Sequence, residues 1–174
     1  MTNSFTATEL RFERTLPAPI ETVWKYLTDS DLRARWFMGV MIEPQVGGKI
    51  EFVFNHDALS DNPGPMPERF VANQGKRWTE DIVRFEPPHV IAYTFGVGSD
   101  TLATFELKDR GDGTTLLTLV HSGIKSAEQA ANFGGGWTSH LAVLEAKLNG
   151  GGVPDFWALH KECEDRAKAA LEVA

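Results

Sequence analysis

Between Gly47 and Ser122 the chain reads as strands joined by turns, with no helical interval suited to a parallel crossover. That order constrains the fold more than any other feature. After Gly47-Gly48, Ile50, Phe52 and Phe54 alternate with Lys49, Glu51 and Val53, the period of two that sends side chains to opposite faces of a strand. Residues 78–86 and 89–95 give two more strands meeting at Pro87-Pro88, with Ile91, Tyr93 and Phe95 on one face. Residues 102–108 and 114–121 form a hairpin around Asp109-Arg110-Gly111-Asp112-Gly113, which is rich in turn residues. A first strand is expected over residues 5–15. The pattern predicts an α+β fold with a meandering antiparallel sheet of about six strands. It excludes a doubly wound parallel one.

Helices flank this block. Pro17 and Pro19 suit a loop and a first helical turn, and Ile20, Val23, Trp24 and Leu27 then share a helical face. Asp29 or Ser30 can cap a second short helix carrying Leu32 and Trp36. Toward the C-terminus, Phe133, Trp137, Leu141, Leu144 and Leu148 recur every three or four residues and form one apolar stripe. Gly134-Gly135-Gly136 is read as opening that helix, and Gly150-Gly151-Gly152 as stopping it. Pro154 opens a last helix with Phe156, Leu159, Cys163, Ala167 and Ala170 on its apolar face. Residues 55–69, holding Pro63, Gly64, Pro65 and Pro67, form a long loop. No repeat or linker divides the chain, so residues 1–174 are expected to form one domain, with 153–174 as an extra C-terminal helix.

A net charge of -7 argues against nucleic acid as a partner, which would require a basic patch. Cys163 is the sole cysteine, which excludes an internal disulfide and suits a reducing compartment. No apolar run approaches the ~20 residues of a membrane span, and residues 1–9 lack the pattern of a signal peptide. A cytoplasmic location is expected.

Three segments carry a family resemblance. Arg14 through Trp24, followed by Leu27-Thr28 and Trp36-Phe37, is similar to an opening strand, helix and tryptophan. Thr115-Leu116-Leu117-Thr118-Leu119-Val120-His121-Ser122-Gly123 is similar to a last strand, and Gly136-Trp137 with Leu141, Leu144 and Leu148-Asn149-Gly150 to a glycine-tryptophan helix. In this order they resemble the START-like, birch-pollen-allergen-like (SRPBCC) superfamily. Within it they resemble the branch of homologues of the activator of the heat-shock protein 90 ATPase. The resemblance implies a helix-grip fold: a curved antiparallel sheet around a long C-terminal helix, with two short helices after the first strand. It also implies a cavity for an apolar, amphipathic or lipid ligand. Other roles in the superfamily are co-chaperone-like protein interaction tied to stress response, and cyclase- or hydratase-like catalysis by an acid/base in the cavity. The loop 55–69 is longer than the family usually carries, and residues 152–174 extend past its core; a lid or a subunit contact, including a homodimer, is the expectation for these two segments.

Candidate cavity residues are Trp36, Phe52, Phe54, Tyr93, Phe95, Trp137, His140, Leu141 and Leu144, with a closed core as the plainer reading of the same residues. His140 could give a ligand its one polar contact, or be exposed or satisfied by a nearby carbonyl. Tyr93 could offer a hydroxyl, or be a core tyrosine bonded to backbone. Glu51, Glu80 and Asp81 could act as a base if buried, but a solvated outer face is expected of them. His56, His89, His121, His140 and His160 lack metal-ligand spacing, and the loop group His56, Asp57 and Asp61 is no better. His121 and Ser122 point to opposite strand faces, and the three glycines fit no dinucleotide or phosphate loop. The sequence therefore offers no catalytic constellation, metal site or cofactor. It points to a module that binds a small apolar or amphipathic molecule, with a chaperone as the other expected partner.

Overall fold

The computed structural model describes residues 1–96, 98 and 100–172. In chain order the elements are β1 (Thr2–Phe5), β2 (Glu9–Leu16), α1 (Ile20–Thr28), α2 (Ser30–Ala34), β3 (Val40–Ile42), β4 (Lys49–Val53) and α3 (Glu68–Val71). Then come β5 (Arg77–Glu86), β6 (Val90–Phe95), β7 (Thr101–Asp109), β8 (Thr115–Ser122), α4 (Ala127–Leu148) and α5 (Phe156–Glu172). The strands form one curved sheet in the order β1-β2-β8-β7-β6-β5-β4-β3, antiparallel at every pairing. Among the described residues no helix is long and apolar enough to cross a membrane.

The helix-grip architecture stands, with eight strands in place of about six. The expected first strand is two: β1 turns back and pairs with β2, Thr2 opposite Glu13 and Phe5 opposite Leu10. β1 shows no apolar alternation because only Phe5 of its four residues is even partly buried. β3 has three residues, too few for a period to show. Elsewhere alternation maps onto burial. Leu10, Phe12 and Leu16 of β2, Ile50 and Phe52 of β4, and Ala103, Phe105 and Leu107 of β7 all turn into the core. Asp29, not Ser30, caps α2, its Oδ1 accepting from the Leu32 N–H at 3.0 Å. The loop 55–69 runs into α3, whose first two residues are Glu68 and Arg69.

The three glycines do not open α4. Ser126 caps it, accepting from the Gln129 N–H at 3.1 Å, so the glycines fall in the helix interior. Their physical reason is α5. A Cβ on Gly135 would lie 2.6 Å from Glu164 Cα and 2.8 Å from Glu164 Cβ, and one on Gly134 would lie 3.1 Å from Ala167 Cβ. The two helices approach backbone to backbone there, as only small residues permit. The buried face of α5 is Phe156, Trp157, His160, Cys163, Glu164 and Ala167. Leu159 is only partly buried and Ala170 is exposed, because the face that meets α4 includes a histidine and a glutamate that apolar periodicity passes over. Residues 173 and 174 of the expected C-terminal helix lie outside the described residues.

A relay of hydrogen bonds ties α4 to the sheet. Trp137 Nε1–H donates to His121 Nδ1 at 2.9 Å, which makes Nδ1 the acceptor. His121 Nε2 then carries the proton and donates to Thr101 Oγ1 at 2.7 Å, and the Thr101 hydroxyl donates to the Phe95 carbonyl. All four residues are buried, and each polar group in the relay has its partner.

The close helix approach makes the glycines unequal. Gly135→Ala should destabilise by about 1–3 kcal/mol through overpacking against the Glu164 backbone. Gly136→Ala, with nothing within 4 Å of the added Cβ, should stabilise by roughly 0.5–1 kcal/mol as a helix-interior glycine replaced by alanine. Thermal or urea unfolding of the pair checks this, and equal shifts would contradict the close approach. Burial holds the His121 imidazole neutral by pushing its pKa down to about 4. The unfolded chain protonates His121 below about pH 6.5, whereas the folded chain does so only near 4. Its contribution is thus present above about pH 6.5 and lost as the pH falls toward 4, on the order of 3 kcal/mol in full. A histidine-resolved NMR titration with an ordinary midpoint near 6.5 would refute that placement.

Candidate functional site

A cleft of about 670 Å³ opens between the β4–β6 end of the sheet and α4, with α5 and the loop before β5 closing one side. Aromatic rings make most of its wall. Phe54 follows β4, Trp78 belongs to β5 and Phe95 ends β6; Phe133 and Trp137 come from α4, and Trp157 from α5. Phe37, which follows α2, stacks on Trp137 with ring centroids 5.0 Å apart and meets His140 edge-on at 4.7 Å. No carboxylate is among the described residues that line the cleft, whereas Lys76 and Arg77 stand on its wall. In a chain with 24 acidic and 17 basic residues that exclusion is local, not compositional.

Three histidines gather where α4, α5 and the loop meet. His56 and His140 lie 5.1 Å apart by ring centroids, and His160, one turn along α5 from Phe156, lines the same cleft. All three are about 95% buried. Burial pushes the His56 pKa down to about 3, helped by His160. It drives His140 well below the ordinary value, with His56 adding to the effect. His160 is lowered by burial too, against a pull upward from Glu164. Each ring is therefore neutral at physiological pH. His140 Nδ1 donates to the Trp36 carbonyl at 2.9 Å, which leaves Nε2 as a bare acceptor. Nδ1 of His56 and Nδ1 of His160 are buried without a hydrogen-bond partner. Among the described residues no group of His, Cys, Asp and Glu is arranged to hold a metal ion.

The loop is fastened over this end by contacts to α5. Phe70 of α3 stacks on Trp157 at 5.5 Å, and His56 packs against Phe54 at 4.4 Å and Trp157 at 5.1 Å. Arg69 forms a bidentate pair with Glu164, at 2.8 and 2.5 Å. Glu164 is buried and its pKa is lowered chiefly by that guanidinium.

Of the nine cavity candidates, Phe54, Phe95, Trp137 and His140 line the cleft. Trp36, Phe52, Tyr93, Leu141 and Leu144 lie behind it, each with no exposed surface. Trp36 is held there by its indole N–H, which donates to the Tyr26 carbonyl at 2.7 Å. Tyr93 is not bonded to backbone: its hydroxyl accepts from Arg33 Nη2. Arg33 is itself fully buried, donates to the Leu27 carbonyl at 2.8 Å, and sits 5.1–5.6 Å from the rings of Trp36, Phe37, Phe52 and Tyr93. Burial raises the Tyr93 pKa, with Arg33 opposing. Glu80 is not on the solvated face. Trp78, Glu80 and Ile82 share the inward parity of β5, and Glu80 is buried with Thr94 Oγ1 donating to its Oε2 at 2.7 Å. Glu51 and Asp81 do pair outward, with Arg77 and Lys49. Neither Glu51 nor Glu80 lines the cleft, so an acid/base pair built on them is not assembled there. Sequence pattern does not single out Arg33, His56 or His160 for this region; the two histidines, 104 residues apart, carry no spacing signal.

Several solved structures share this architecture. A protein from Bordetella parapertussis, known from solution NMR, is 34% identical, with 97% of this chain and 94% of that one covered at a TM-score of 0.79. CalU16 from Micromonospora echinospora matches at 22% identity, TM-score 0.66, over 93% of this chain and 87% of that one. The Aha1 dimer from Colwellia psychrerythraea matches at 17% identity, TM-score 0.61, over 85% and 96%. These last two speak to the fold alone. No curated protein matches the chain in sequence. The family model described as activator of Hsp90 ATPase homolog 1-like protein matches residues 17–149, the span from the approach to α1 to the end of α4. With most of the sheet, the gripped helix and the glycine-tryptophan segment in that span, the chain belongs to the family of activator of Hsp90 ATPase homolog 1-like proteins.

Proposed function

We propose that residues 1–174 act as one domain that holds a small apolar or amphipathic molecule in the cleft between sheet and α4. The observation that carries this reading is the aromatic wall around about 670 Å³, within the size range of small-molecule sites. The cleft faces a ligand with rings and with neutral imidazoles, and Lys76 and Arg77 on its wall suit the polar end of an amphipathic one. The family is named for activating a chaperone ATPase, and protein interaction is the alternative if the cleft takes no ligand.

Native mass spectrometry of the freshly purified protein, followed by a thermal-shift panel of fatty acids, sterols and aromatic metabolites, tests the reading. A co-purifying mass or a saturable rise in Tm is expected. Phe54→Ala should weaken binding of any hit by at least roughly tenfold, the scale of removing one large apolar side chain from the wall. Lys108→Ala, an exposed change on β7, should leave binding unchanged. A clean apo mass with no shift across the panel would sink the ligand reading and turn attention to protein partners.

A further inference from the structure

We infer that the histidine end of the cleft is a subsite for an uncharged hydroxyl group carried on a flat aromatic molecule, and that His140 Nε2 is the acceptor that reads it. The inference rests on the cleft binding small molecules, and names the class it selects.

The imidazole nitrogens differ in what they can do. The Trp36 carbonyl can only accept, so it fixes the proton of His140 on Nδ1 and leaves Nε2 with a lone pair. Among the described residues nothing donates to that lone pair, although His140 lines the cleft. A ligand group placed there must therefore bring a hydrogen-bond donor. His56 and His160 have no such fixed tautomer: their Nδ1 atoms lack partners, so each ring can carry its proton on either nitrogen. Nδ1 of His56 and Nδ1 of His160 are sealed from the cleft and do not select the ligand group; the demand comes from His140 Nε2, and a hydroxyl is the smallest uncharged group that supplies a donor to it.

Charge narrows the class further. An ammonium could donate, but among the described residues no carboxylate lines the cleft to balance it, and Lys76 and Arg77 stand on the wall against it. A carboxylate brings no donor, and it could accept from His140 Nε2 only if that ring were protonated, which burial opposes. The rest of the molecule is set by the walls. Phe37, Phe54 and Trp157 pack directly on His140 and His56 and hold those rings in place, while the faces of Trp78, Phe95, Phe133 and Trp137 along the cleft suit a flat aromatic molecule. His121 is the contrasting case: it is as buried, yet both of its nitrogens are matched within the protein.

The test uses three matched probes on the intact chain at about pH 7.5, where a phenolic hydroxyl keeps its proton: 2-naphthol, 2-methoxynaphthalene and 2-naphthoate. By titration calorimetry or fluorescence, 2-naphthol should bind roughly tenfold more tightly than its methyl ether, the worth of one well-placed hydrogen bond. His140→Phe should erase that preference while leaving the ether bound. Should the variant not fold, the unmodified protein still answers: the His140 Nε2 ¹⁵N resonance should shift on adding 2-naphthol and not on adding the ether. Equal binding of naphthol and ether, or tightest binding of the naphthoate, would overturn the hydroxyl subsite while leaving the ligand reading in place. Binding of none of the three at millimolar concentration would overturn the aromatic hydroxyl subsite, while the ligand reading would stand or fall on the fatty-acid, sterol and metabolite panel.

Discussion

A full positive charge sits in the middle of this hydrophobic core, and the core is arranged around it. Removing a guanidinium from water costs several kcal/mol unless hydrogen bonds and polarisable surfaces replace the lost hydration. Arg33 receives the Leu27 carbonyl, the Tyr93 hydroxyl and four aromatic faces. These partners come from α1, β4, β6 and the segment after α2, so burying this one side chain, whose Nε stays unpartnered, fixes how the short helices meet the sheet. Phe37 carries that order outward. One of its neighbours is Arg33, another is Trp137, and a third is His140, so the buried cation and the cleft share a wall.

The second constraint is how close α5 comes to α4. With side chains at 134 and 135 the two backbones would be held apart, and α5 could not bring Phe156 against His56 and His140 or Trp157 against His56. The glycines cost helix propensity, about 1 kcal/mol each relative to alanine, and the helix contact they permit builds one side of the cleft. The Arg69–Glu164 pair then clamps the loop at the residue that packs on Gly135. Loop, α5 and the glycine step are thus one assembly, and its α5 side lies beyond the family-matched residues 17–149.

The fold is legible in the sequence where burial follows a period. The alternation of β2 and β4 and the 137, 141, 144 stripe of α4 each record one face turned to one core. The strands without such a signal, β1 and β3, are exposed or three residues long. The site is legible only in part, because sequence pattern reports that a residue is buried and not what it is buried beside. Phe52 and Phe54 share a strand parity, yet Phe52 is sealed in the core and Phe54 faces the cleft just past the strand's end. His56 and His160 come together through a loop whose course no propensity dictates. Arg33 and Glu80 invert the usual rule for charged residues, and a single sequence holds no sign of the partners that make this possible.

The two sets of buried histidines differ in how far the protein satisfies them. His121 is embedded in a closed relay in which each donor meets an acceptor, and its removal would leave Trp137 and Thr101 unmatched. Such a network specifies the core. His56 and His160 are buried nearly as deeply, yet each leaves its Nδ1 without a partner, at a cost of about 1–3 kcal/mol for each such atom. Leucine or phenylalanine at these two positions would remove that cost, whereas at His140 it would strip the Trp36 carbonyl of its donor. The indole of Trp137 is satisfied, while one helical turn further along α4 His140 Nε2 stands without a donor at the end of the cleft where the loop is clamped, and the proposed hydroxyl subsite rests on that contrast.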